Sequence, residues 1–300
     1  MKAESQTFES KAAWLAGRRH GIGASEAAAV IGANPWKSAL QLYAEKLELV
    51  EPDALETEAM EWGLLLEAPI AQQYERVIGR TVARPTPWTL HRSRQHPWMT
   101  ATVDGFVEDP QRGPGILQIK TAGLHRTEEW TEEPPLHYQI QVQHEIHVAG
   151  VTWGALAVLL GGQRLLSFDL DRNDSFLELL IAREREFWER LLRQEPPAPD
   201  ASEASREVLR RLYPREQAGL SVPLPVAAVE WDAQRLEAAS QLEHWKAVKD
   251  EAENRLKAAI GEAECGVLPD GTAYLWKERS RKGYTVEAGT YRELRRKAPK

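Results

Sequence analysis

Residues 98–122 read WMTATVDGFVEDPQRGPGILQIKTA. Asp104 follows an apolar run, a turn-rich gap holds Asp109, Pro110, Gly113, Pro114 and Gly115, and a short strand from Ile116 to Thr121 carries Gln118 and Lys120. Residues two apart on a strand leave the same face, so Gln118 and Lys120 project together. A hairpin closing over the gap brings Asp104 beside them. An acid, a second oxygen donor and a lysine meeting at one place suit metal-assisted phosphodiester hydrolysis, in which oxygen ligands hold a hard cation and the lysine orients water and offsets phosphate charge. The same residues also read as an Asp-Gly turn and an edge-strand lysine. On this stretch alone both readings stand.

The flanking sequence supplies the frame. Upstream, residues 80–103 form three strand-like runs, RTVARP, PWTLHRS and PWMTATV, parted by proline and polar turns. Downstream, a loop from Trp130 to Pro135 leads to a helix from His137 to Val148, HYQIQVQHEIHV, which sets Tyr138, Gln141 and Glu145 on one face. His137, His144 and His147 have no companion ligands at zinc spacing and read as ordinary helix positions. Strands at 152–162 and 164–171 follow, then a helix from Asp174 to Arg193. Helices, mixed strands, a crossing helix, two more strands and a closing helix make an α/β core on a mixed sheet.

The N-terminal third adds two further features. After a short helix over residues 8–17, RRHGIGASEAAAVIG (18–32) puts Arg18 ahead of a Gly-x-Gly turn and a helix start at Ser25 and Glu26. An arginine, a hydroxyl and backbone N–H groups aimed at one place form an anion site, while a plain N-cap with a surface arginine is the simpler alternative. A helix opens at Ser38, an acidic loop spans 48–58, and a longer helix runs from about Ala59 to Ile78. Glu67 sits at the edge of that helix's apolar stripe, beside Pro69, which predicts a kink.

Composition narrows the class. The 300 residues, 42% hydrophobic and 28% charged, are those of a globular protein. No apolar run reaches membrane-spanning length and MKAESQTFES lacks a signal-peptide core, so a cytoplasmic protein is expected. One cysteine, Cys265, excludes an internal disulfide framework or a multi-cysteine metal site within one chain. The net charge of −7 conceals a basic tail: residues 277–300 hold nine Lys or Arg against three Glu, a local charge of +6 that leaves −13 on the rest. Such a tail reads as a phosphate-binding arm or as a solvated terminus.

Five stretches in order, RRHGIGAS (18–25), GLLLE (63–67), TATVDGF (100–106), GILQIKTA (115–122) and HYQIQVQHEIHVAG (137–150), give residues 14–195 a resemblance to the YqaJ viral recombinase family, relatives of the lambda-type phage exonuclease in the PD-(D/E)xK nuclease superfamily. The resemblance implies a restriction-endonuclease-like core, with a mixed central sheet flanked by helices, over residues 1–195. It implies Asp104 as the central metal ligand, Gln118 and the Ile119 carbonyl completing the site, Glu67 as a further acidic ligand, and Lys120 activating water. Arg18 and Ser25 would grip the 5′-phosphate of a DNA end, with Tyr138, Gln141 and Gln143 in a supporting motif. The implied activity is Mg²⁺-dependent (Mn²⁺ as substitute) 5′→3′ exonuclease action on linear double-stranded DNA. It would leave 3′ overhangs for recombination by strand annealing, carried out by a ring-shaped homotrimer with a single-strand annealing protein as partner. Gln118 departs from the family's usual Glu or Asp, which leaves open a natural variant with weaker metal binding, a catalytically silent DNA-end binder, or an engineered substitution. A related endonuclease or repair nuclease is the other alternative.

Beyond the Pro-rich QEPPAPD (194–200), residues 196–300 form an extension. It comprises a short helix over 202–212, a long helix capped by Asp232 with an apolar seam (Leu236, Leu242, Trp245, Ala252, Leu256, Ile260), a hairpin turning at residues 269–271, and the basic tail. That seam packs on the chain's own core or meets a partner.

Overall fold

Side-chain caps set most helix starts in this computed structural model, which describes residues 3–51, 57–281, 283 and 291–297. After strand β1 (Ala3–Thr7), helix α1 (Lys11–Arg19) begins where Ser10 Oγ accepts from Ala13 N. It runs two residues past Gly17, whose missing side chain leaves room for the Phe8 ring. Strand β2 (Ile22–Gly23) passes straight into α2 (Ala24–Val30), and Ser38 caps α3 (Ala39–Lys46) by accepting from Gln41 N. Thr57 caps α4 (Glu58–Ile78), which carries Pro69 within one continuous element and stops at Gly79, whose φ of 79° suits a residue without a Cβ. Strands β3 (Thr81–Ala83), β4 (Thr89–Ser93), β5 (Met99–Ala101), β6 (Gly105–Asp109) and β7 (Gly113–Ala122) follow. After a 3₁₀ turn (Leu124–Glu129) come α5 (Leu136–Ala149), β8 (Trp153–Leu160), β9 (Arg164–Asp171) and α6 (Asp174–Arg193), the last capped by Asn173.

The predicted hairpin is present: β6 pairs antiparallel with β7, from Gly105 opposite Leu117 to Asp109 opposite Gly113. Asp109 closes the turn by accepting from the N–H groups of Gln111 and Arg112. The five-stranded sheet runs β3-β6-β7-β8-β9, with only β7 and β8 parallel, because α5 carries the chain across one face between them. Alternation along β7 sorts its side chains. Ile116 joins Val142 and Ile146 of α5 on one side, and Leu117 and Ile119 join Ile70, Ala71 and Tyr74 of α4 on the other. A Cβ at Gly115 would come within 2.5 Å of the Trp153 indole, so the third residue of β7 is a glycine that leaves room for that buried ring. The sheet is thus enclosed by helices on both faces, the α/β arrangement expected.

A second, four-stranded sheet, β1-β4-β5-β2, stands beside the first. Its β1, a polar run that the sequence does not mark as a strand, pairs with β4 some 86 residues away through Ser5 opposite His91. Helix α6 closes this side, with Leu177 and Leu180 against Ala27, Ala28 and Ile140, and Phe187 and Leu191 against Leu42 and Tyr43.

The chain divides into two compact units, Met1–Pro214 and Arg215–Lys300. The first continues beyond residue 195 because α7 (Glu203–Leu212) buries Val208 against Leu40, Ala44 and Val50. In the second unit, α8 (Ala228–Ile260) starts four residues ahead of Asp232, so that residue does not cap it. Asp232 instead accepts from Arg296 at 3.0 Å. No residue of α8 is buried, and its expected seam is exposed at Leu242 and Trp245. The predicted hairpin forms from β10 (Cys265–Val267) and β11 (Ala273–Leu275), turning at Gly271 with φ of 88°. Lys282, Glu287 and Lys300 of the basic tail, and residues 52–56 of the acidic loop, lie outside the described residues. Among the described residues no helix is long and apolar enough to cross a membrane.

Candidate active site

The link from β5 to β6 positions Asp104 over the middle of β7. Its Oδ2 accepts from Gln118 Nε2 at 2.5 Å and from the Ile119 backbone N–H at 2.7 Å. Burial pushes the Asp104 carboxyl above the usual carboxylate range, against the pull of Lys120. Lys120, two residues along the same face, holds its ammonium 5.2 Å from the centre of the Tyr138 ring, and that ring stacks on Trp130.

Helix α4 supplies Glu67, whose Oε2 accepts from Arg84 Nη2 at 2.8 Å. Burial, with Asp104 next in importance, lifts the Glu67 carboxyl to about 7. Helix α5 supplies Gln141 and Glu145 from one face, and Gln141 Nε2 donates to Glu145 Oε1 at 2.9 Å. Glu145 is fully buried; burial first and Asp104 second raise it to about 8. Both shifts come from acids gathered in a poorly hydrated place with few bases among them.

One cleft of about 890 Å³ is lined by Arg18, Ser25, Glu67, Asp104, Gln118, Ile119, Lys120, Gln141 and Glu145. The structure therefore brings together most of the residues picked out in the sequence. Tyr138 is not part of that lining but lies against the Lys120 ammonium. Gln143 is elsewhere: it donates to the Asp171 carbonyl at 2.6 Å and accepts from Asn173 N at 2.9 Å, tying α5 to the turn before α6. The histidines of α5 hold structure. His144 bridges Glu184 (2.8 Å) and the Thr100 carbonyl (3.0 Å), and His147 stacks on His96.

The expected anion-binding pair meets at the end of α1, where Arg18 Nη2 donates to Ser25 Oγ at 3.0 Å and its guanidinium lies 4.8 Å from the Trp14 ring centre. Of the backbone N–H groups expected there, that of Gly23 is taken up internally, because Glu26 Oε2 accepts it at 2.7 Å. Lys46 pairs with that same carboxylate at 2.7 Å and donates to the Arg18 carbonyl at 3.1 Å. Although burial pushes the Glu26 carboxyl up, Lys46 and Arg18 together hold it below its ordinary value. A Cβ on Gly23 would stand 3.0 Å from the Arg18 guanidinium, so a side chain there would crowd the arginine.

Sequence reasoning left Glu26, Lys46, Arg84 and Glu145 without roles in the site. Glu26 carries a signal, the acid three residues after an N-cap. Glu145 lies on the same helix face as Gln141, while Lys46 reaches the cleft, and Arg84 reaches Glu67, only through the fold.

The donor atoms suit a hard divalent cation. Among the described residues no three Asp, Glu, His or Cys side chains converge on one point. The cleft instead offers carboxylates with an amide and a main-chain carbonyl, all oxygen. Two of its buried oxygens, Gln118 Oε1 and Glu145 Oε2, have no hydrogen-bond partner. Unsatisfied buried lone pairs beside an excess of acids are an arrangement that a bound cation relieves.

Comparison with known proteins places this architecture. A family model described as the YqaJ-like viral recombinase domain matches residues 13–152. The uncharacterized protein YqaJ of Bacillus subtilis (strain 168) is 31% identical over 268 residues, which span 88% of this chain and 82% of the relative. The crystal structure of an alkaline exonuclease (LHK-Exo) from Laribacter hongkongensis resembles it with a TM-score of 0.50 at 19% identity, covering 62% of this chain and 94% of that one.

Proposed function

The chain belongs to the YqaJ-like viral recombinase family, and we propose that it is a divalent-cation-dependent DNA exonuclease that degrades linear duplex 5′→3′ and leaves 3′ overhangs for strand-annealing recombination. The observation that carries this reading is the meeting of Asp104, Gln118, Lys120 and Glu67 in one cleft that also holds the Arg18–Ser25 pair. The core of the activity is assigned to the first unit, which runs past residue 195 to Pro214, and residues 215–300 to an accessory extension.

In this mechanism Arg18 and Ser25 hold the terminal 5′-phosphate through charge-assisted hydrogen bonds, which sets the register of the next phosphodiester in the cleft. Asp104, the Gln118 amide oxygen, the Ile119 carbonyl and Glu67 would hold Mg²⁺, or Mn²⁺ in its place, and the cation would polarise the phosphate and make nearby water more acidic. Lys120, kept in place by the Tyr138 ring, orients the attacking water and offsets charge building on the phosphate oxygens.

Family membership also supports a ring-shaped homotrimer around DNA, an annealing protein as partner, and a cytoplasmic place of action. Light scattering that gives a monomer with and without DNA would remove the trimer. The activity is tested by incubating linear and covalently closed circular duplex with Mg²⁺, with Mn²⁺ and with chelator. Degradation of the linear form alone, abolished by chelator and faster on 5′-phosphorylated ends, is expected. Cutting of the closed circle would make the protein an endonuclease. Retained end binding without turnover in either metal would make it a DNA-end binder.

A further inference from the structure

On the strand that carries Lys120, position 118 is a neutral amide, so β7 itself brings no carboxylate to the cleft. Across the same cleft, α5 presents an acid with no evident structural task. Glu145 is 0% exposed and its Oε1 receives one hydrogen bond from Gln141, while its Oε2 receives none. Gln118 is 4% exposed, and its own Oε1 is likewise without a partner.

A carboxylate buried in this way ordinarily meets a base, because an unpaired charge away from water is costly. Glu184 in the same unit does so, at 2.8 Å from His144. Among the described residues Glu145 makes no ion pair. The one ammonium on the facing strand, Lys120, lies over the Tyr138 ring. Two residues with unsatisfied oxygens therefore line one cleft, one a neutral amide and one an acid with no base.

We propose that Glu145 supplies the negative charge that Gln118 lacks, acting from the α5 wall of the cleft rather than as a third acid at the point where Asp104 and Glu67 would hold the cation. The amide oxygen of Gln118 stays as a neutral ligand, and Glu145 balances the cation's charge from the helix side. This inference rests on the nuclease reading for the identity of the cleft. It turns the departure at Gln118 from a sign of a lost site into half of an exchange. A Glu145 that is merely a neutral, hydrogen-bonded core residue is the rival account, and Glu145→Gln keeps its shape and its contact with Gln141.

The test uses the full chain without DNA, titrated with Mn²⁺ and followed by the electron paramagnetic resonance signal of free Mn²⁺. Melting in chelator serves as the folding control. Glu145→Gln is expected to weaken Mn²⁺ binding at least tenfold without changing the melting temperature in chelator. The exchange variant Gln118→Glu/Glu145→Gln is expected to return to within threefold of the parent. Glu145→Gln binding Mn²⁺ within twofold of the parent would overturn the inference, as would an exchange variant no tighter than Glu145→Gln. Failure of the nuclease reading is separable. A parent whose Mn²⁺ binding depends on Glu145 but which leaves linear DNA intact keeps this inference and loses the exonuclease. A parent that degrades DNA while Glu145→Gln binds Mn²⁺ equally well loses this inference alone.

Discussion

Lys46 joins the two segments that form the anion pair, so Lys46→Met is expected to damage both stability and end recognition. Its side chain is 6% exposed and that of Glu26 19%, with 2.7 Å between the charged atoms. Removing one partner of a buried ion pair costs about 3–5 kcal/mol. Glu26 keeps the Gly23 N–H and some contact with water, which puts this case near about 3 kcal/mol even with the lost bond to the Arg18 carbonyl included. For a unit of this size that is a fall in Tm of roughly 6–12 °C. Urea unfolding at fixed pH reads the first effect. The second is the ratio of affinities for 5′-phosphate and 5′-hydroxyl duplex ends in chelator, which should fall because Arg18 loses its main-chain anchor. Glu26→Gln/Lys46→Met removes both charges and should recover at least half of the stability while leaving the ratio low. A loss below about 1 kcal/mol for Lys46→Met, together with an unchanged ratio, would refute the reasoning.

Three other outcomes follow from the same geometry. His147 is buried beside Arg172, and burial first, Arg172 second, pushes its imidazole down to about 4. The unfolded chain takes up that proton near 6.5, so stability should fall as pH drops from about 6.5 to 4, by on the order of 2 kcal/mol, and urea midpoints of His147→Gln should show a flatter dependence than the parent's. His144→Leu strands the fully buried Glu184 and should cost about 3–5 kcal/mol in urea unfolding, whereas His144→Leu/Glu184→Leu should cost less than the single change. Lys120→Ala should lower single-turnover cleavage by about 10²–10³-fold while changing affinity for DNA ends in chelator little, since its task is at the reacting phosphate.

Local chemistry made much of this molecule legible in its sequence. The period of two put Gln118 and Lys120 on one face of β7, and the structure joins Asp104 to them through the Gln118 amide and the Ile119 N–H. Asp174–Arg193 could be read end to end because Asn173 caps it and its apolar spacing is regular. What stayed hidden depends on distant partners. β1 is polar and finds its place only against β4, and Lys46 reads as a surface lysine until α3 docks beside α2. Asp232 has the chemistry of a cap for the long helix, yet the helix begins four residues earlier without a side-chain cap. Glu145 shows the limit most clearly: periodicity assigns its face, but burial and a missing partner are properties of the fold.

The central claim is tested most directly on a linear duplex labelled separately at its 5′ and 3′ ends and incubated with the protein and Mg²⁺. The account predicts early release of the 5′ label with the 3′ label retained on a lengthening single-stranded overhang, and no release in chelator. Release of the 3′ label first, or no release of either label by protein that still binds the ends, would contradict it.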